Sequence, residues 1–259
     1  MLLVIDVGNT NTVFGVYRGK ELLSHWRIRT VHGQTGDEFG MLVWNLFRWA
    51  DLPMGGIEAV VVSCVVPPLL RAIHELCERY FGVKPLLVGP GIETGIKILY
   101  DNPREVGADR IVNAVAAYER YKQAVIVVDF GTATTFDLIS SHGEYLGGAI
   151  APGVGVASEA LFQRTAQLPK VEFAKPPSVL GKSTVTSIQS GLFWGYVSLV
   201  DGIVERLKAE VPGPTKVVAT GGLASLIASE SKTIEEVDDF LLLEGMRIIY
   251  ERNKEAKKP

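Results

Sequence analysis

One short pattern occurs twice in this chain, and it limits the possible folds more than any other feature. Leu2-Leu3-Val4-Ile5 runs apolar into Asp6, and Val7-Gly8-Asn9-Thr10 follows as a tight turn. The chain then re-extends through Val13-Phe14-Gly15-Val16-Tyr17. This predicts a buried strand, a turn and a second strand. Further along, Ala124-Val125-Ile126-Val127-Val128 leads into Asp129-Phe130-Gly131-Thr132, and Phe136-Asp137-Leu138-Ile139 re-extends. Counting residues lays Asp129 on Asp6, Gly131 on Gly8, Thr132 on Asn9 and Thr135 on Thr12. Each pair of strands is followed by a turn, Arg18-Gly19-Lys20 or Ser141-His142-Gly143. A third strand then begins, Leu22 to Ile28 or Tyr145 to Ile150. A unit used twice predicts duplicated domains rather than a solenoid.

The residues of this unit carry a chemistry. A carboxylate where a strand leaves the apolar interior can hold a hard cation, directly or through water. Gly8 removes a side chain where the backbone must approach a ligand closely. Asn9, Thr10, Asn11 and Thr12 add amides, hydroxyls and backbone N–H donors, an inventory that suits a polyphosphate with its magnesium. For either copy alone, an Asp/Asn-rich turn without a ligand is the competing reading. Two facing copies can clamp one nucleotide from both sides.

Bulk properties exclude several classes. The 259 residues allow two ordinary domains, and 47% apolar content permits a substantial core. A net charge of −3 argues against a nucleic-acid or membrane-surface binder. The longest apolar stretch, Ala59 to Leu70, is too short to span a bilayer and contains Pro67-Pro68. The start lacks a basic segment and a cleavage site, so it reads as a strand and not a signal peptide. Cys64 and Cys77 are not in C-x-x-C spacing and read as core thiols in a reducing cytoplasm. His25, His32, His74 and His142 show no metal-ligand spacing, and no G-x-S-x-G occurs.

Between the copies, strand and helix patterns alternate, which implies parallel strands covered by helices. Helices are expected over Asp37 to Asp51 and from Pro67 through Tyr80, with strands at Ala59 to Ser63 and Lys84 to Val88. Asn102-Pro103 with Glu105 has the form of a helix start. Gly107 then interrupts what should be helix interior, at a cost of about 1 kcal/mol relative to alanine, and propensity gives no reason for it. In Gly107-Ala108-Asp109-Arg110, Asp109 could accept a proton and Arg110 could hold a carboxylate, Arg110 also keeping Asp109 ionised. A solvent-facing ion pair in a charged first turn is the alternative. Past the second copy, glycine is dense from Gly147 to Gly155. A long helix capped by Ser183 or Thr184 carries Gly191, Gly195 and Gly202, which suit either a dimer seam or packing within the monomer. Val217-Val218-Ala219-Thr220-Gly221-Gly222 is a strand ending in a bare corner that could lie against adenine or be a plain turn. A last helix is expected over Asp238 to Arg252.

Taken together, Asp6-Val7-Gly8-Asn9-Thr10, Asp129-Phe130-Gly131-Thr132 and Thr220-Gly221-Gly222 resemble the two phosphate motifs and the adenosine motif of the actin-like, sugar-kinase-like ATPases. Within that superfamily the chain resembles type III pantothenate kinase, through the first and second motifs extended to Thr12 and Thr135, through Asp101-Asn102-Pro103 with Gly107-Ala108-Asp109-Arg110, and through Gly147-Gly148-x-Ile150-x-Pro152-Gly153. The resemblance implies an α/β fold of two ribonuclease-H-like (actin-like ATPase) domains, 1–118 and 119–259, with mixed five-stranded sheets flanked by helices. It implies a cytoplasmic homodimer that binds ATP in a cleft and moves a phosphoryl group to the 4′-hydroxyl of pantothenate, the first step toward coenzyme A. By position it assigns Asp6, Val7, Gly8, Asn9, Thr10, Asn11, Thr12, Val13 and Thr132 to ATP. It assigns Asp109 as the general base, and Tyr100, Gly107, Ala108, Asp109 and Arg110 to the pantothenate pocket. Thr184 contacts pantothenate in cis or from the partner subunit. Asp129 holds a monovalent cation, K+ or NH4+, and Asp6 holds the Mg2+ of Mg-ATP, directly or through water. Two readings compete: a kinase of another small hydroxylated acceptor, and a non-catalytic accessory or regulatory relative. Loss of Asp6, Asp109 or Asp129 would favour the latter, and all three are present.

Overall fold

A computed structural model describes residues 1–256. The chain divides into two compact units. The first comprises Met1–Gly95, Asn102–Ala116 and the C-terminal segment from Leu242; the second comprises Ile96–Asp101 and Ala117–Leu241.

In the first unit, β1 (Leu2–Val7), β2 (Asn11–Arg18) and β3 (Glu21–Arg29) form an antiparallel meander. Helix α1 (Gly36–Trp49) leads to β4 (Ala59–Cys64), and α2 (Leu70–Leu76) leads to β5 (Leu86–Leu87). The five-stranded sheet has the order β3-β2-β1-β4-β5, with β4 parallel to β1 and β5 parallel to β4. Helix α1 starts at Thr35 because Thr35 and Glu38 close a reciprocal capping box. The expected helix from Pro67 is instead a 3-10 turn (Pro67–Leu69), α2 and a π turn (Cys77–Phe81) that ends at left-handed Gly82. Leu3, Ile5 and Val7 of β1, Phe14 and Val16 of β2, and Val60 and Val62 of β4 share one buried cluster with Phe39 and Val43 of α1 and Ile73 and Leu76 of α2. Cys77 lies in it, its thiol pushed up to about 12 by burial. Side chains alternate along strands, so Val4, Asp6, Gly15 and Ser63 face the other way.

The second unit repeats this plan. β6 (Lys97–Ile98) precedes α3 (Ala108–Tyr121), whose N-terminal part belongs to the first unit. The meander β7 (Ala124–Phe130), β8 (Ala133–Ile139), β9 (Glu144–Pro152) follows, then α4 (Val154–Gln163), α5 (Thr184–Lys208), β10 (Thr215–Gly221), α6 (Ala224–Ala228) and β11 (Glu236–Val237). The sheet order is β11-β10-β7-β8-β9-β6. Reading β7, β8, β9, β10 and β11 as β1, β2, β3, β4 and β5 reproduces the first order and every strand direction, with β6 added beside β9 as a sixth strand. Ile126, Val128, Phe136 and Val217 pack under Phe193, Val197 and Val200 of α5. Helix α7 (Leu241–Glu255) closes the described chain. Gly15 and Gly245 mark where it packs in the first unit. A Cβ on Gly15 would stand 3.1 Å from Leu243, and one on Gly245 would stand 2.2 Å from the Val112 carbonyl of α3. Among the described residues no helix is long and apolar enough to cross a membrane.

Candidate functional site

The two Asp-x-Gly corners close differently. In the first, Asp6 pairs with Val13 and Val7 with Thr12, and Gly8 N–H donates to the Asn11 carbonyl at 3.0 Å. In the second, Asp129 pairs with Thr135 and Phe130 with Thr134, and Gly131 N–H donates to the Ala133 carbonyl at 3.0 Å. The second turn is one residue shorter. By strand pairing Thr134, not Thr135, occupies the place of Thr12, and both Thr12 and Thr134 are fully buried.

In the first unit, Asn9 and Thr10 stand exposed at the tip of the corner, while Val7 and Thr12 are sealed inside. The Thr12 hydroxyl meets Thr30 Oγ1 at 3.0 Å, and Thr30 Oγ1 donates to the Gly8 carbonyl at 2.7 Å. Thr30 N–H also donates to the Thr10 carbonyl at 2.9 Å. Thr30 therefore braces the turn from β3's end, a role nothing in its own sequence neighbourhood signals. Val7 and Thr12 expose no surface of their own at this corner. Asp6 is buried, with its carboxylate beneath Gly8 and its strand neighbours Ser63 and Val13 on the same face. That face is the one α7 covers, and α7 in turn touches α3 at Val112.

Asp109 sits in the first turn of α3. The expected helix start at Asn102 is real but brief. Asn102 accepts from Arg104 N–H at 3.3 Å and donates to Glu105 at 2.7 Å, and the 3-10 turn Pro103–Glu105 ends at extended Val106. Gly107 then opens α3, and its reason is local: a Cβ there would stand 2.5 Å from Asp109 Oδ1. Arg110 N–H donates to that same oxygen at 2.8 Å. Burial pushes the Asp109 carboxyl above the ordinary aspartate range, outweighing the Arg110 amide and charge that pull it down. Arg110 therefore does not keep Asp109 more acidic than a free carboxylate, because the lost hydration is the larger effect. Arg110 and Asn113, on the following turn, are themselves buried.

In the second unit, Asp129 ends β7 beside Thr220 and Gly221 of β10. Gly221 has φ +93°, and a Cβ there would stand 2.6 Å from the Phe130 carbonyl oxygen and 2.8 Å from Asp129 Oδ1. The missing methyl leaves a cradle between two hard oxygens, which suits a hard cation. Thr132 is exposed on its turn, and Gly153, which caps α4, donates its N–H to the Thr132 carbonyl at 3.1 Å. A Cβ on Gly153 would lie 2.3 Å from that carbonyl, so only glycine lets the α4 N-terminus abut the phosphate-type turn. Thr184, first residue of α5 after the Ser183 cap, lines a cavity of about 500 Å³ with Leu161, Leu168, Ile188 and Leu192. Tyr100 continues from β6; its ring stands 6.3 Å from that of Tyr145. Thr30 is a contributor that motif reading passed over; Gly153 stood in a motif, but its bracing role did not show.

Known proteins are similar to this chain in sequence and in fold. A sequence model of the family described as type III pantothenate kinase matches residues 2–206. The chain belongs to the type III pantothenate kinase family. The type III pantothenate kinase of Myxococcus xanthus (strain DK1622) is 62% identical over 253 residues, spanning 98% of this chain and 99% of the relative. That of Anaeromyxobacter sp. (strain K) is 61% identical over 254 residues, spanning 98% and 100%. Among solved structures, a Campylobacter jejuni protein assigned to the Baf family of transcriptional activators superposes with TM-score 0.62 at 19% identity over 98% of this chain and 99% of that one. The inorganic polyphosphate/ATP-glucomannokinase of an Arthrobacter strain gives 0.53 at 16% identity over 98% of each. These likenesses establish the actin-like ATPase fold.

Proposed function

We propose that this chain phosphorylates the 4′-hydroxyl of pantothenate with ATP, with Asp109 as general base. The observation that carries the reading is Asp109 itself: a half-buried carboxylate in the first turn of α3, fixed by the Arg110 amide and raised in pKa by burial. A base whose pKa moves up toward the working range takes a proton more effectively in the transition state. Phosphoryl transfer asks the protein for positioning and charge neutralisation more than for covalent help.

The exposed Asn9–Thr10 tip and the Thr132 turn bind phosphate oxygens through backbone amides and short side chains, and Thr220-Gly221-Gly222 receives the adenosine. Magnesium bound with ATP neutralises phosphate charge. Its site fits Asp6, because this ion is commonly held by one or two carboxylates, waters and phosphate oxygens. Asp129 and the Phe130 carbonyl hold the monovalent cation, K+ or NH4+, in the cradle that Gly221 leaves open. Gly107, Ala108 and Arg110 are assigned to the acceptor, as is Tyr100, and the Arg110 guanidinium pairs with the pantothenate carboxylate. Thr184 contacts the acceptor, in cis or from the partner subunit of a homodimer. In sequence the two ribonuclease-H-like repeats are taken as 1–118 and 119–259, with Ile96–Asp101 packing in the second unit and the segment from Leu242 in the first.

The test is ATP consumption with pantothenate against a panel of sugars and small hydroxy acids, each with sodium alone and with potassium. Turnover confined to pantothenate and stimulated by potassium is the expected result. Turnover of another acceptor, or none at all, removes the acceptor assignment. Equal rates in sodium remove the role of Asp129.

A further inference from the structure

The second unit contains a buried carboxylate that the phosphoryl-transfer chemistry does not use. Asp137 of β8 is fully buried, and it accepts the Tyr145 hydroxyl at 2.6 Å and the Thr135 hydroxyl at 3.2 Å. Tyr145 of β9 is likewise fully buried. A dry carboxylate is expensive to keep unless its hydrogen bonds are fixed, so this pair holds its geometry tightly.

Three features aim that rigidity at one residue. Tyr145 sits at a bulge: the β8–β9 register shifts between Leu138 and Ile139, so that Ile139 pairs with Tyr145 and Leu138 with Gly147. Bulges re-aim a side chain and recur beside functional sites. Past the bulge, Gly147 has φ +122°, and a Cβ there would lie 3.5 Å from the Tyr100 ring. Gly148 lies so close to β8 that a Cβ would sit 1.6 Å from the Phe136 carbonyl, which presses the strip flat against the sheet. Finally, β6 is tied to β9 by the pairs Lys97–Glu144 and Ile98–Tyr145 and by Leu99 N–H to the Tyr145 carbonyl at 2.8 Å. Tyr100 is the next residue. Its ring rests over Gly147 and against Tyr145, whose far end is pinned by Asp137.

We infer that Tyr145 and Asp137 are positioning residues that hold Tyr100 in place for the acceptor substrate. The inference rests on the proposed assignment of Tyr100 to the pantothenate pocket. Neither residue touches a substrate; each acts through the Tyr100 ring.

Tyr145→Phe keeps the ring and removes only the hydroxyl. In the full chain it is expected to raise KM for pantothenate about tenfold with KM for ATP changed less than about twofold, since small misplacements of a positioning group are costly. Asp137→Asn, which still offers Tyr145 an acceptor, shifts KM in the same direction by less. Tyr145→Phe added to Tyr100→Ala has no further effect. In native-state amide exchange, Tyr145→Phe speeds exchange at Leu99 to Asp101 while the β7–β10 core stays protected. An unchanged pantothenate KM in both variants, a joint rise in both substrates' KM, additivity with Tyr100→Ala, or faster exchange throughout the second unit each overturns the inference. If the parent chain does not turn pantothenate over, the acceptor assignment fails separately. The exchange at Leu99 to Asp101 then decides alone whether Tyr145 holds Tyr100.

Discussion

Replacing Gly221 with alanine puts a methyl group where the second unit has no room for one. At φ +93° an L-residue pays a left-handed backbone cost of about 1–2 kcal/mol. The new Cβ also meets the Phe130 carbonyl oxygen at 2.6 Å and Asp129 Oδ1 at 2.8 Å. The Asp129 side chain can swing away. The Phe130 carbonyl cannot, because Gly221 and Phe130 are paired in the parallel β7–β10 ladder. Overpacking of this kind adds about 1–3 kcal/mol, so the expected loss is about 3 kcal/mol. Trp194 is the one tryptophan in the sequence of the second unit; Trp26, Trp44 and Trp49 belong to the first. Urea unfolding followed by Trp194 fluorescence, with the other three changed to phenylalanine in both proteins, isolates the affected unit. With a slope near about 1.5 kcal/mol/M, the midpoint falls by about 2 M. The potassium concentration for half-maximal activity also rises, because the methyl occupies the cradle beside Asp129. A midpoint shift under about 0.3 M would mean that the corner has slack, and the argument from the missing methyl would be wrong.

Asp201 of α5 tests an electrostatic brace. Burial alone would raise its pKa, but the Ser231 hydroxyl at 2.6 Å, the Lys232 amide at 3.1 Å and the Thr233 hydroxyl at 2.8 Å hold it below the ordinary range. A depressed carboxylate stabilises the fold above its unfolded pKa and loses that contribution as pH falls through the folded value. Asp201→Asn is therefore expected to lower stability at neutral pH by about 1 kcal/mol, discounted for solvent screening, and the gap to the parent should close in acid melts. For Asp109 the sign is opposite. Its raised pKa makes the ionised form costly in the fold, and the acid limb of kcat/KM should lie above the ordinary aspartate value of about 3.9. An acid limb at or below that value would contradict the burial argument.

Much of this was legible in the chain, and what was not has definite physical reasons. The duplicated meander showed because strand alternation, Asp-x-Gly and turn residues recur in one order, and strand pairing confirms that order. Counting residues misplaced Thr135, since the second turn closes one residue sooner and hydrogen-bond register, not spacing, decides equivalence. β6 was not expected: two residues with no pattern of their own become a strand by pairing with β9. Gly107 was visible as an anomaly, and its cause, the nearby Asp109 Oδ1, exists only in three dimensions. That burial raises the Asp109 pKa was not readable, because Arg110 is visible in sequence while lost hydration is not. Thr30 braces its corner from the end of β3, and nothing local marks it; Gly153 stood in a motif without its contact to the Thr132 carbonyl being readable.

Asp109→Asn is the direct test of the account as a whole. The substitution preserves shape and the bond from the Arg110 amide while removing the proposed proton acceptor. Calorimetric binding of magnesium with a non-hydrolysable ATP analogue should be unchanged within about twofold, while turnover of pantothenate falls by at least about 100-fold. A variant that turns over at the parental rate would show that another group takes the hydroxyl proton.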